Sequence, residues 1–225
     1  MAEYKSINGT KIQDFTSDPA NPLEGQVWYN TTSNVLKVSD GPVVAAWATA
    51  NSMNTGRYGL AGAGTQTAAL GFAGNTPSGT TATESYNGTN WTEVNDMNSA
   101  RRYLAGAGTQ TAALGFGGAP GPQTITETWN GTNWTEVNDL NTARRALAGC
   151  GTNTAALAFG GNASYLTVTE NYNGTNWTEV NDLNTGRAYL AGCGTTTAAL
   201  AIGGGTFPAT AVTELWNGTN WTEVN

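Results

Sequence analysis

Nine residues, Asn-Gly-Thr-Asn-Trp-Thr-Glu-Val-Asn, begin at Asn87 and recur unchanged from Asn130, Asn173 and Asn217, a spacing of 43 or 44 residues. A second anchor, an arginine followed three residues later by Leu-Ala-Gly, falls at Arg57, Arg101, Arg144 and Arg187 with the same spacing. A period of this length means that one supersecondary unit has been copied, and that each copy buries its apolar face on its neighbours. No stretch between the anchors carries sustained helical periodicity, so the unit is built from strands.

The copy between the second and third arginines shows how. Leu104 to Gly108 reads as a Gly-rich first strand, and Ala112 to Phe116 as a second one ending at Gly117-Gly118. Ile125 to Trp129 is a short β-branched and aromatic run, and Asn133 to Val137 completes the set. Asn130-Gly131 between the last two predicts a type I′ hairpin turn, which needs positive φ at both central residues. Four short strands in a unit of about 40–50 residues make a propeller blade. Residues 1–46 do not repeat, yet Trp47 lies in phase with Trp91, Trp134, Trp177 and Trp221. Strands are expected at 26–30 and 34–38, with a turn at Asp40-Gly41. The expectation is an all-β chain: an N-terminal arm over 1–24, then a single β-propeller of five four-stranded blades over 25–225. The blades run 25–53 (degenerate), 54–97, 98–140, 141–183 and 184–225. Four blades with an N-terminal cap is the alternative.

These anchors resemble kelch repeats. A Gly pair closes the second strand (Gly117-Gly118, Gly160-Gly161, Gly203-Gly204, with Ala73-Gly74 departing) and an aromatic ends the third (Tyr86, Trp129, Tyr172, Trp216). A tryptophan opens the fourth and an arginine follows in the connection. The resemblance covers about residues 47–225 and implies the fold, while function has to be argued from sites. The segment from Ser17 to Asn30, Ser-Asp-Pro-Ala-Asn-Pro-Leu-Glu-Gly-Gln-Val-Trp-Tyr-Asn, is similar to a motif that opens structural proteins of marine bacteriophages. That likeness implies a virion protein, with other virion proteins among its partners.

The chain has no histidine, which removes the usual general base and the commonest metal ligand. Copper oxidases on kelch-like propellers need histidine, so that chemistry is excluded. Cys150 and Cys193 stand at equivalent positions where other units carry Ala63 and Ala107, and are expected as small buried residues. Glu84, Glu127, Glu170 and Glu214 recur in every unit, as do Glu93, Glu136, Glu179 and Glu223. Carboxylates copied four times belong to a scaffold, and the first set is expected to pair with Arg57, Arg101, Arg144 and Arg187. No catalytic residue, metal site or cofactor is expected, and a propeller lyase or hydrolase is the least favoured reading. Sequons such as Asn87-Gly88-Thr89 are read as turn chemistry.

A net charge of −7 argues against nucleic acid and anionic membrane as partners. No apolar run reaches the length of a membrane span, and the first residues lack the apolar core of a signal peptide. What differs between copies is free to carry specificity. The differences gather between second and third strands and just after the repeated arginine. The candidate ligand-binding residues are Tyr58, Arg102, Tyr103, Arg145, Tyr165, Tyr189 and Phe207. Tyrosine and arginine are favoured at recognition surfaces. A host-surface glycan or protein is the expected ligand, a purely architectural virion role the alternative, and oligomerisation is compatible with either.

Overall fold

The computed structural model describes residues 12–19, 26–38, 49–162, 164–205 and 209–224; Trp47, the Asp40-Gly41 turn and Phe207 lie outside them. The chain divides into two compact units, Met1–Thr49 and Ala50–Asn225. Among the described residues every regular element is a strand, so no helix is long and apolar enough to cross a membrane.

In the first unit, β1 (Gln13–Phe15) pairs in parallel with β2 (Val27–Asn30), which pairs antiparallel with β3 (Val35–Val38). Residues 13–15, within the stretch expected as an arm, are drawn into this sheet, with the Phe15 carbonyl accepting the Thr31 N–H at 2.9 Å. Asp18 holds the sheet together: it accepts from the Trp28 indole (3.1 Å) and Asn30 Nδ2 (2.8 Å), and pairs with Lys37 (2.6 Å). These bonds hold the Asp18 carboxyl down at about 2, the Lys37 contact contributing most.

The second unit contains four antiparallel four-stranded sheets, each a blade of propeller type. The first is β4 (Ala61–Thr65), β5 (Ala68–Phe72), β6 (Thr83–Tyr86) and β7 (Trp91–Val94). The second is β8 (Ala105–Gly108), β9 (Ala113–Phe116), β10 (Thr126–Trp129) and β11 (Trp134–Val137). The third is β12 (Ala148–Gly151), β13 (Ala156–Phe159), β14 (Thr169–Tyr172) and β15 (Trp177–Val180). The fourth is β16 (Ala191–Gly194), β17 (Ala199–Ile202), β18 (Thr213–Trp216) and β19 (Trp221–Val224). The innermost strands β4, β8, β12 and β16 lie side by side in that order.

The hairpin turn differs from the expected type I′. Trp129 pairs with Trp134, which leaves four residues in the loop, and only Gly131 takes a positive φ. Asn130 caps the loop instead, its Oδ1 accepting from Thr132 N and Asn133 N at 2.9 Å each.

The core lies between blades, because strand alternation gives each sheet two apolar faces. Call the face toward the following blade the far face. Phe72, Phe116 and Phe159 project from far faces and meet Trp134, Trp177 and Trp221 of the next blade at ring-centroid distances of 4.8–4.9 Å. Glycine opens the receiving face: a Cβ on Gly106 would sit 2.9 Å from the Phe72 ring. Each of those tryptophans donates its indole N–H back to a buried threonine, Thr83, Thr126 or Thr169, at 3.0–3.1 Å. The far face of the last blade breaks the pattern. Ile202 replaces the phenylalanine, and Ile202, Leu215 and Val224 are all exposed. Cys193 shares that face and is exposed, correcting its expected burial, while Cys150 is covered by the fourth blade; both thiols are free.

Each repeated arginine is buried against the third-strand glutamate of its own blade. Arg101 Nη2 meets Glu127 at 2.9 Å, with pairs of 2.8–3.1 Å at Arg57–Glu84, Arg144–Glu170 and Arg187–Glu214. Arg101 also donates to the carbonyls of Gly117 and Ile125, and Glu127 accepts from the backbone of Asn98. The pair thus ties the incoming connection to the loop that follows the second strand. Burial pulls the Arg57, Arg101 and Arg144 guanidinium groups below their ordinary value, and the attached carboxylates oppose the pull.

Candidate functional site

Strand direction decides which variable segments can meet. In the second blade Ala105 pairs with Phe116, Phe116 with Thr126, and Thr126 with Val137, so these four residues share one end of the sheet. The loop between second and third strands and the connection between blades therefore emerge at the same end in every copy. Backbone bridges Tyr58–Asn75, Arg102–Ala119 and Ala188–Gly205 join the two sets directly.

A relay of backbone bonds runs across this end. Tyr103 N–H donates to Gly59 O at 2.7 Å, Ala146 N–H to Tyr103 O at 2.7 Å, and Tyr189 N–H to Ala146 O at 2.8 Å. All four residues are left-handed, with φ of 64°, 55°, 51° and 55° for Gly59, Tyr103, Ala146 and Tyr189. For a non-glycine residue that conformation costs roughly 1–2 kcal/mol.

The relay gathers three of the expected tyrosines. Tyr58 and Tyr103 have ring centroids 6.2 Å apart, and Tyr103 meets Tyr189 edge-on at 6.1 Å, separations suited to favourable aromatic pairs. Only a methyl group, Ala146, intervenes in the sequence of copies. Tyr58 and Tyr189 remain more than half exposed, at 58% and 57%. Beside Tyr189 a cleft of about 450 Å³ is lined by Ala188, Gly204, Gly205, Ala209 and Thr210. That volume falls within the range of small-ligand sites.

Asn75, buried and absent from the expected set, organises the rim. Its Nδ2 donates to the Tyr58 hydroxyl, and its Oδ1 accepts from Arg102 at 3.3 Å. Position was its one sequence signal, because it opens a variable loop. Arg145 is half-buried, and its Nε is enclosed without a hydrogen-bond partner. Tyr165 stands apart from the cluster: it is left-handed at φ 58° and half-buried in the 162–167 loop, and makes no ring contact among the described residues. Phe207 belongs to the part of the last loop outside those residues.

Among the described residues no group of three or more His, Cys, Asp or Glu side chains could hold a metal ion. The four inner glutamates are engaged by arginine, and burial pushes the Cys150 thiol up to about 12. What this end offers is exposed aromatic surface, a small cleft and two guanidinium groups. No known family model matches this chain, and no curated protein matches it either.

Proposed function

We propose that this chain is a non-catalytic recognition module of a virion, a propeller whose loop-bearing end holds a host-surface glycan or protein. The observation that carries the reading is the backbone conformation of the tyrosines. The first blade meets the left-handed requirement with Gly59, so the fold is satisfied by glycine at this position. The three later copies set Tyr103, Ala146 and Tyr189 there, at a cost the scaffold does not require, and two of the three carry an aromatic ring. Strain of this kind is characteristic of functional positions. Tyrosines clustered at a wet surface suit sugar rings, which present apolar C–H faces beside hydroxyl groups, and suit protein hot spots equally. The virion setting is supported by the likeness of residues 17–30 to a motif of marine phage structural proteins.

A glycan array probed with the intact chain tests the reading. Binding to a defined subset is expected, together with its loss when Tyr103 and Tyr189 are both changed to Ala and the melting curve is kept. An array silent at millimolar sugar, with no host-surface protein retained, would count decisively against it. A second reading, an architectural part contacting only other viral chains, is favoured by the apolar far face of Ile202, Leu215 and Val224. Cross-linking of purified virions separates the two: under this second reading the tyrosine end carries no ligand and the far face carries the cross-links.

A further inference from the structure

The chain has nine basic residues, of which seven lie among the described ones. Four are the buried arginines, each paired with its glutamate, and Lys37 pairs with Asp18. The two left without a carboxylate within 4 Å among the described residues are Arg102 and Arg145, at equivalent positions in neighbouring blades, each immediately before a member of the backbone relay. In an acidic chain this is a selective arrangement: every other described cation is neutralised, and the two free ones stand at the end that carries the tyrosines.

Repetition explains why Arg145 is the freer of the two. Arg102 reaches Asn75, which heads the variable loop of the preceding blade. The residue that heads the corresponding loop one blade later is Ala119, a buried methyl group that offers no acceptor. Arg145 therefore has no partner for its guanidinium among the described residues: its Nε is enclosed, as in the four paired arginines, but unlike theirs its Nη groups meet no carboxylate or carbonyl. A guanidinium in that state is completed by an anion that presents two oxygens to take two parallel hydrogen bonds.

Resting on the proposed glycan reading, we propose that the ligand is an anionic saccharide. The Tyr103 and Tyr189 rings pack against the sugar, and Arg145, assisted by Arg102, donates hydrogen bonds to its carboxylate or sulfate. The net charge of −7 sharpens the claim, because the field of the whole molecule repels a polyanion. Attraction has to come from a local site and cannot be a diffuse basic surface.

The test compares oligogalacturonate, dextran sulfate and neutral dextran by calorimetry on the intact chain. The expected result is at least about tenfold tighter binding of one charged probe than of the neutral one, the scale of a single charge-assisted bidentate contact. The carboxylated and sulfated arms tell the two anions apart. Arg145→Gln, which breaks no bond in the protein and should leave the melting curve unchanged, brings that ratio close to one. Arg145→Lys, with charge but no fork, falls between. Equal binding of neutral and charged probes, or a ratio indifferent to Arg145→Gln, overturns the anionic assignment and leaves glycan recognition standing. If no saccharide binds, both fall together, and a polyanion bound equally by the Tyr103→Ala, Tyr189→Ala variant also overturns the proposal.

Discussion

Changing Glu127 to Gln removes one negative charge from a site with no access to water. Both Glu127 and Arg101 are fully buried, and the carboxylate accepts four hydrogen bonds: Asn98 N (2.7 Å), Asn98 Nδ2 (2.9 Å), Ser99 N (3.3 Å) and Arg101 Nη2 (2.9 Å). The amide keeps one acceptor oxygen, turns its NH2 toward donors, and leaves the Arg101 charge buried without compensation. Breaking a buried pair from one side costs about 3–5 kcal/mol. At about 2–4 °C per kcal/mol for a chain of this size, the melting temperature should drop by roughly 6–20 °C. Glu136 is the matched control. It lies directly opposite Glu127 across the β10–β11 pair but is exposed, so Glu136→Gln should change stability by no more than about 0.5 kcal/mol. Urea unfolding followed by tryptophan fluorescence reads both. Replacing the pair together, Arg101→Met with Glu127→Leu, should be milder than Glu127→Gln alone, because no charge is then stranded. The reasoning is refuted if Glu127→Gln costs less than about 1 kcal/mol, or if the double variant is as damaged as the two single ones added together.

Three further outcomes follow from the geometry. Phe116→Ala should cost about 3–5 kcal/mol because the ring is fully enclosed, whereas Ile202→Ala at the same position of the last blade, 41% exposed, should cost well under half of that by the same urea assay. In the native protein Cys193 should react with a thiol reagent and Cys150 should stay silent until denaturant is added, since its thiol is buried and pushed up to about 12; rapid labelling of both would contradict the blade order. The Asp18 carboxyl, lowered from 3.8 to about 2, binds its proton more weakly in the folded chain, so its contribution is intact above about pH 4 and lost as pH falls toward 2. The Trp28 indole N–H resonance should report that low titration, and Asp18→Asn should abolish it; a midpoint at the ordinary carboxylate value would remove the Lys37 contact from the account.

Repetition made much of this readable in advance. A residue type that returns at a constant interval in every copy belongs to the scaffold, which is why the pairing of Arg144 with Glu170 could be anticipated without coordinates. The meeting of Tyr58 and Tyr103 also followed, since antiparallel strands bring both variable segments to one end. Other features left no trace in residue type. Tyrosine carries no signal for positive φ, so the relay through Tyr103 and Tyr189 emerges only from tertiary hydrogen bonding. Asn-Gly suggested a two-residue turn, but the register sets Trp129 opposite Trp134 and leaves four loop residues. Three-residue strand β1 shows no alternation long enough to detect, and its parallel partner lies beyond the reach of local pattern. Cys193 looked equivalent to Cys150, yet burial of that position comes from the next blade along.

The knob of phenylalanine and the glycine-floored hollow that receives it amount to a rule of addition. Because three successive junctions use the same rule, a copied unit inserted between the second and third blades meets compatible surfaces on both sides. A unit appended after the last blade does not, since Ile202 and Leu215 have replaced the knob and its polar neighbour. Every interior duplication would also add one more loop pair to the loop-bearing end, which would grow in steps of a whole blade without any change to the framework beneath it.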